Sequence, residues 1–182
     1  MIKIPKCQPR RERGKGWGLV TLEFVPKGKL VQEYVGEVID EKEKENRLQL
    51  WNKEHPYDAN YYIMGLGKLY IDARVFANQS RFINHSCDPN CKVVSINVKG
   101  RVRNGIYSLK DIQAGEFLSY DYHFDTSQGE RFVCRCGAPN CRGTMKGGGK
   151  GDIVAKKTLT WKEIKAQYEA DKIFLAEKKG TD

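Results

Sequence analysis

The sequence predicts a mostly-β domain. Three observations carry that expectation: the apolar runs are short and rich in β-branched and aromatic residues, Gly and Pro punctuate them closely, and only two stretches change to a helical period. Strands alternating regularly with helices, as a parallel sheet with crossovers requires, are absent from the order of segments.

Taken in order, "IKIPKCQ" and "GWGLVTLEFVPKGKLVQEYVGEVI" read as strands joined by tight turns, Pro26–Gly28 being one. "DEKEKENRLQLWNKEHP" then changes period. Asp40 and Glu43 form a capping box, acids crowd the first turn and Pro56 stops the run, which predicts a helix over about 41–54. Strand character resumes in "NYYIMGLGKLYIDA", "CKVVSINVKGRVRNGIYSLKDI" and "EFLSYDYHF". "KGGGKGD", residues 146–152, has the composition of a flexible linker. Beyond it Thr160 and Glu163 make a second box, with Trp161, Ile164, Tyr168 and Leu175 on one face, so a C-terminal helix is expected. No internal repeat is found.

With 182 residues, 40% hydrophobic and 30% charged, the chain can bury one core and carry a small appendage. No apolar stretch approaches the roughly 18 residues of a membrane helix, and the first residues lack a signal-peptide core. No membrane partner is expected; the cytosol or nucleus is. There, six cysteines serve as metal ligands or free thiols sooner than as disulfides. The net charge of +9 is unevenly placed: Lys3, Lys6, Arg10, Arg11, Arg13 and Lys15 face Glu12 alone in the first fifteen residues. Such a flank suits a polyanionic partner, DNA or chromatin, as well as it suits a plain solvated surface.

The densest chemistry lies in "RFINHSCDPNC", Arg81–Cys91, and "CRCGAPNC", Cys134–Cys141. Cys134-x-Cys136-x4-Cys141 gathers three thiols, whereas a structural zinc site takes four ligands in a tetrahedron. By residue type the fourth could be Cys7, Cys87, Cys91, His55, His85 or His123; unrelated free thiols or a redox pair are the rival reading. "GKGWG", Gly14–Gly18, lets backbone approach a ligand but lacks the P-loop pattern, and alone it reads as a turn with a packed Trp17. "YDY" puts Tyr120 and Tyr122 on one face of a strand, more often a core pattern than a catalytic one. "EYVGE" (Glu33–Glu37) and His85 are no stronger by themselves.

Together and in this order, "KGWGL", "EYVGEVI", "YYIM", "YIDA", "SRFINHSCDPNC", "AGEFLSYDYHF" and "CRCGAPNCRG" resemble the SET-domain protein lysine methyltransferases with a post-SET zinc motif, over about 15–143. The nearest likeness is to the NSD-like branch, which methylates lysine 36 of histone H3. Members of that branch carry a cysteine-rich AWS segment ahead of the SET domain. The residues before Lys15 do not supply one, so either it precedes them in a longer chain or the branch is another. The resemblance implies a SET fold of short twisted sheets, with a pseudoknot where the chain after "NHSC" threads under a neighbouring loop. An inserted helix, a zinc-bound cap and the C-terminal helix complete it. The expected division is a SET domain over 1–130, a post-SET segment over 131–146, and linker plus helix over 147–182. Cys87 would join Cys134, Cys136 and Cys141 around zinc, leaving Cys91 a packed free thiol.

The same resemblance implies transfer of a methyl group from S-adenosylmethionine to a lysine amine. At about pH 7.4 a neutral amine costs about 4 kcal/mol for an unperturbed lysine, a cost that a desolvated aromatic channel and the nearby sulfonium both lower. Lys15, Gly16, Trp17, Tyr61, Tyr62, Arg81, Phe82, Asn84, His85 and Met145 would bind the cofactor. Tyr34, Met64 and Tyr120 would wall the lysine channel. Tyr122 would be the catalytic tyrosine, orienting methyl and amine; an unperturbed phenol near pKa 10 is a poor general base. Tyr120 stands where the family carries Phe or Tyr, and its hydroxyl would hold a water in the space a third methyl needs, giving mono- and dimethyl product. The partners implied are a histone H3 tail in a nucleosome and nucleosomal DNA along the basic flank, met by a monomeric catalytic domain in the nucleus. Methylation of histone H3 lysine 4 or of a nonhistone protein is the rival within the class, and a catalytically silent chromatin-binding module the rival outside it.

Overall fold

The computed structural model describes residues 3–55, 62–124 and 132–147, and the backbone of 159–160. Among these the strands are β1 (Cys7–Glu12), β2 (Gly16–Thr21), β3 (Leu30–Glu33), β4 (Glu37–Ile39), β5 (Ile63–Leu66), β6 (Leu69–Asp72), β7 (Asn84–His85), β8 (Cys91–Val98), β9 (Arg101–Ser108), β10 (Ser119–Tyr120) and β11 (Leu159–Thr160). One helix, α1 (Glu41–Glu54), and a short 3-10 turn (Gln79–Phe82) accompany them. The fold is mostly β, in small sheets. The expected C-terminal helix, Tyr61 and Pro56 lie outside the described residues.

β1 and β2 form an antiparallel hairpin in which Glu12 faces Gly16. Gly14 and Gly16 take φ of 77° and 83°, a region glycine enters without steric cost, so the reversal falls there. Pairing to β2 fixes the first strand, which therefore starts at Cys7, later than "IKIPKCQ" suggests, and includes the exposed Arg10 and Arg11.

The largest sheet has the order β11-β8-β9-β3, and a second runs β4-β6-β5. Alternation along β8 buries both faces of the large sheet. Cys91 and Val93 turn to the main core with Leu19, Val31, Ile83, Ile106, Ile112 and Leu118, while Val94, Ile96 and Val98 pack with Tyr107 on the other side. Each such aliphatic contributes about 1.5–3 kcal/mol relative to exposure. The buried Asn104 joins the sheets: its Nδ2 donates to the Gly65 carbonyl at 2.8 Å, and its own carbonyl accepts from Tyr34 N at 2.9 Å.

Helix α1 starts where the capping box places it, Asp40 accepting from Glu43 N at 2.8 Å, a contact worth about 1 kcal/mol. None of its residues is buried, so charge rather than apolar packing docks it. Arg47 reaches Glu43 on its own helix, Glu37 on β4 and Asp72 on β6, at 2.6, 2.9 and 3.0 Å. Arg74 closes on Asp72 at 2.6 Å. Gly36 permits the close approach beneath: a Cβ there would lie 2.4 Å from the Asp72 carbonyl oxygen.

The element that places the site is the smallest. β7 and β10 pair in parallel, Asn84 opposite Ser119 and His85 opposite Tyr120, so "NHSC" lies beside "YDY". Asn90, in the turn after β7, holds the arrangement by donating to the Phe117 carbonyl and accepting from Ser119 N, both at 2.8 Å.

Candidate functional site

An aromatic cluster grows from the core at this junction. Tyr34 and Tyr120 are buried, and Tyr62, Met64, Phe82 and Tyr122 pack against the same core. The strand ends at Tyr120, so Tyr122 lies just beyond it rather than on one regular face. The chain turns at His123, whose φ of 48° is left-handed. The two rings nevertheless meet, their centroids 4.9 Å apart. Tyr122 donates its hydroxyl proton to the Ile83 carbonyl at 2.9 Å, which directs the oxygen's acceptor side elsewhere. Tyr34 donates to the Tyr62 carbonyl at 3.1 Å. Burial raises the pKa of both Tyr34 and Tyr120, so they are phenols, not phenolates.

Beside the rings lies a polar group of residues from the β1–β2 turn and β7. Lys15 Nζ meets Glu12 Oε1 at 2.6 Å, and Asn84 Nδ2 donates to Glu12 Oε2 at 2.7 Å and to the Trp17 carbonyl at 3.0 Å. Trp17 is not packed as the turn suggested; it is 49% exposed, with the Arg11 guanidinium 4.5 Å above its ring. Arg81 lies 4.6 Å from the Tyr62 ring and donates from Nη1 to the Arg74 carbonyl. Its Nε is buried and meets no acceptor among the described residues. An unmet buried donor next to these groups suits a ligand that brings acceptors.

Cys87, which follows β7, meets Cys134, Cys136 and Cys141, the four sulfurs lying within 4.8 Å of one another. Cys87 and Cys134 are 3.7 Å apart. Zinc at its usual Zn–S distance of about 2.3 Å in a tetrahedron would need a sulfur–sulfur edge of about 3.8 Å, so the set can hold such an ion. Backbone N–H groups of Arg142 and Gly143 point at the sulfurs of Cys87 and Cys141, both at 3.4 Å, as thiolates require. Burial raises the Cys87 and Cys134 thiols. For Cys136 burial works the same way, but N–H groups of Cys87 and Ala138 outweigh it and bring the thiol down to about 6. Cys91 stands apart, fully buried and pushed up to about 12 by that burial.

Two bridges tie the cysteine cluster to the tyrosine segment. Burial holds His85 at about 4, hence neutral, and its Nδ1 accepts from Tyr122 N at 3.1 Å. The ring proton is then on Nε2, which faces Cys87 Sγ at 3.5 Å. His85 is therefore a connector, not a base open to substrate. Arg142 forms the second bridge, pairing with Asp121 at 2.7 Å. Met145 sits on the same cap, its N–H donating to the Phe132 carbonyl at 3.0 Å, and Phe132 leads through Phe124 to the Tyr122 ring.

The family model described as SET domain matches residues 16–123. The chain belongs to the SET-domain family. Among relatives of this SET domain, the Arabidopsis thaliana histone-lysine N-methyltransferase ASHH1 is 40% identical over 94% of the chain, which covers 33% of that protein. The Homo sapiens histone-lysine N-methyltransferase, H3 lysine-36 specific, is 38% identical over 91% of the chain and 6% of its own length. Drosophila melanogaster histone-lysine N-methyltransferase Set2 is 42% identical over 78% of the chain, again 6% of its own length. The chain thus spans a third or less of these proteins.

In this SET domain the sequence-predicted residues, Tyr61 apart, fall into three adjoining groups: Lys15, Gly16, Trp17 and Asn84 at the hairpin; Tyr34, Tyr62, Met64, Arg81, Phe82, Tyr120 and Tyr122 around the rings; and the four cysteines with His85 and, on the cap, Met145. Sequence reading passed over Glu12, Asn90 and Arg142. Asn90 was visible as a turn residue in "DPN" and Arg142 as the residue after a ligand, but Glu12 is one charge in a charged run.

Proposed function

We propose that this SET domain transfers methyl groups from S-adenosylmethionine to lysine 36 of histone H3, ending at the dimethyl stage, in the nucleus. The observation that carries the reading is the junction itself. Tyr120 and Tyr122, 4.9 Å apart, stand against the Arg81–His85 segment in a chain whose relatives bear histone-lysine methyltransferase names. S-adenosylmethionine supplies a methyl group made electrophilic by the attached sulfonium. The chain's own residues have the remaining tasks.

Lys15, Gly16, Trp17, Tyr61, Tyr62, Arg81, Phe82, Asn84, His85 and Met145 are assigned to cofactor binding. Of these, Lys15 and Arg81 bring N–H donors for a carboxylate, and Asn84, whose NH2 is taken up by Glu12 and the Trp17 carbonyl, brings its amide oxygen as an acceptor. His85 acts through its neighbours. Tyr34, Met64 and Tyr120 wall the lysine channel with ring and thioether surface that keeps bulk water from the amine, and desolvation favours its neutral form, while the Tyr120 hydroxyl holds a single water there. Tyr122 keeps its own proton on the Ile83 carbonyl and offers its oxygen as an acceptor to the reacting groups. Zinc, held by Cys87, Cys134, Cys136 and Cys141, would fasten the cap beside Tyr122.

The test is methyl transfer from labelled cofactor to recombinant nucleosomes, with mass spectrometry locating the mark. Mono- and dimethyllysine at position 36 of histone H3 is the expected product. A mark on lysine 4 would redirect the target. No transfer, together with retained binding to nucleosomes, would make the domain a silent chromatin-binding module.

A further inference from the structure

Glu12 lies ahead of the span that matches the family and in none of the motifs that point to a cofactor, yet it organises that end of the site. One carboxylate oxygen takes the Lys15 ammonium at 2.6 Å, and the other takes Asn84 Nδ2 at 2.7 Å. The same Nδ2 reaches the Trp17 carbonyl at 3.0 Å. Two acceptors on one side of an amide oblige its NH2 to face them, since an amide oxygen there would be repelled by both. Asn84 Oδ1 is thereby turned the other way, as an acceptor.

The carboxylate occupies a made space. Its side chain is only 14% exposed. A Cβ at position 18 would stand 2.7 Å from Glu12 Oε2 and 2.7 Å from the Phe117 ring, so Gly18 leaves the room it fills. An enclosed carboxylate loses hydration that a surface acid keeps, and it persists because Lys15 and Asn84 satisfy both oxygens. A residue placed only to solubilise the hairpin would not be seated this way.

An amino acid end carries an ammonium and a carboxylate. An outward amide oxygen meets the first, and a lysine held at a fixed distance meets the second. We propose that Glu12 is a positioning residue for the amino-acid end of S-adenosylmethionine, acting by setting the Asn84 amide and anchoring Lys15; this rests on the cofactor reading above. Glu12 itself makes no contact in the reaction. It preorganises two side chains that would otherwise lose rotamer freedom on binding.

Calorimetric titration of the wild-type chain, Glu12→Gln and Glu12→Ala tests this with two ligands. The first is S-adenosylmethionine; the second is methylthioadenosine, which keeps the nucleoside and sulfur but lacks the amino-acid end. Glu12→Ala is expected to weaken S-adenosylmethionine about tenfold or more, the scale of a lost charge-assisted bond, and to leave methylthioadenosine within about twofold. Glu12→Gln keeps an acceptor for Asn84 but not the ion pair, so it should fall between, and it is read alone if the alanine variant does not fold. In turnover, KM for the cofactor should rise while kcat changes by about twofold or less. Equal losses for both ligands would mark a merely structural residue, and an unchanged S-adenosylmethionine affinity would mark an idle one; either overturns the proposal. A wild-type chain that binds no S-adenosylmethionine overturns the cofactor reading and this inference with it, a failure recognisable because it precedes any substitution.

Discussion

At the scale of single residues, the tyrosine pair divides the work by environment. Tyr122 is tied by its hydroxyl to the Ile83 carbonyl, whereas Tyr120 is almost wholly buried at 5% exposure. On the proposed reading, removing the first hydroxyl deletes one preorganised polar group at the reacting atoms and leaves the Glu12–Lys15–Asn84 group intact. Tyr122→Phe is therefore expected to bind S-adenosylmethionine nearly as wild type but to turn over at least about a hundredfold more slowly, roughly 3 kcal/mol. Single-turnover rates beside a calorimetric Kd check it; near-normal turnover would remove Tyr122 from the catalytic role. Tyr120 stays a phenol because burial raises its pKa, so it can hold a water by hydrogen bonding where a third methyl would go. Tyr120→Phe should shift product from dimethyl towards trimethyl. Mass spectra of exhaustively methylated substrate decide that, and dominant trimethyllysine from the wild-type chain would show that Tyr120 sets no limit.

At the scale of elements, the cysteine cluster joins a turn after β7 to a cap some fifty residues later in the chain, and His85 and Arg142 carry the connection to the Tyr122 segment. None of these four cysteines belongs to the core around Leu19, Val31, Ile106 and Leu118. Chelation should accordingly abolish methyl transfer while far-ultraviolet circular dichroism keeps its β signal. Elemental analysis should give one zinc per chain, lost in Cys87→Ser and kept in Cys7→Ser and Cys91→Ser; active chain without zinc would sink the assignment. What could be read in advance follows the range of the interactions. Asp40 and Glu43 are three residues apart, so the start of α1 was legible from local chemistry. The three cap cysteines were legible by spacing, but the fourth was singled out only by likeness to a family, since spacing cannot see across a fold. The start of β1 was set by pairing with β2, and the same pairing sets Trp17 opposite Arg11, whose guanidinium lies over a ring that stays half exposed instead of packing in the core. Glu12 was illegible for the same reason, its meaning coming from Asn84, a residue distant in sequence that meets it only where β7 folds against the hairpin.

At the scale of the whole molecule, the net charge of +9 is unevenly placed, and the basic residues of the N-terminal flank differ in what they meet. Lys15 is taken up by Glu12, and Arg11 lies along the Trp17 ring. Arg10 and Arg13 are exposed on the same hairpin, and Lys6, just ahead of β1, is exposed too. A surface of that kind attracts polyanions at long range, and each phosphate it neutralises releases counterions, giving a salt dependence of about 0.9 per contact in the logarithm of affinity. A histone tail peptide in the cleft would feel little of this, because it carries no phosphates. Methylation of nucleosomes should therefore fall more steeply with salt than methylation of a free histone H3 peptide. Arg10→Ala and Arg13→Ala should each flatten the nucleosome slope by up to about one unit while leaving the peptide rate unchanged. The measurement is kcat/KM for both substrates across a sodium chloride series. Parallel slopes would mean that the flank is a solvated surface and that DNA is not among the groups it meets.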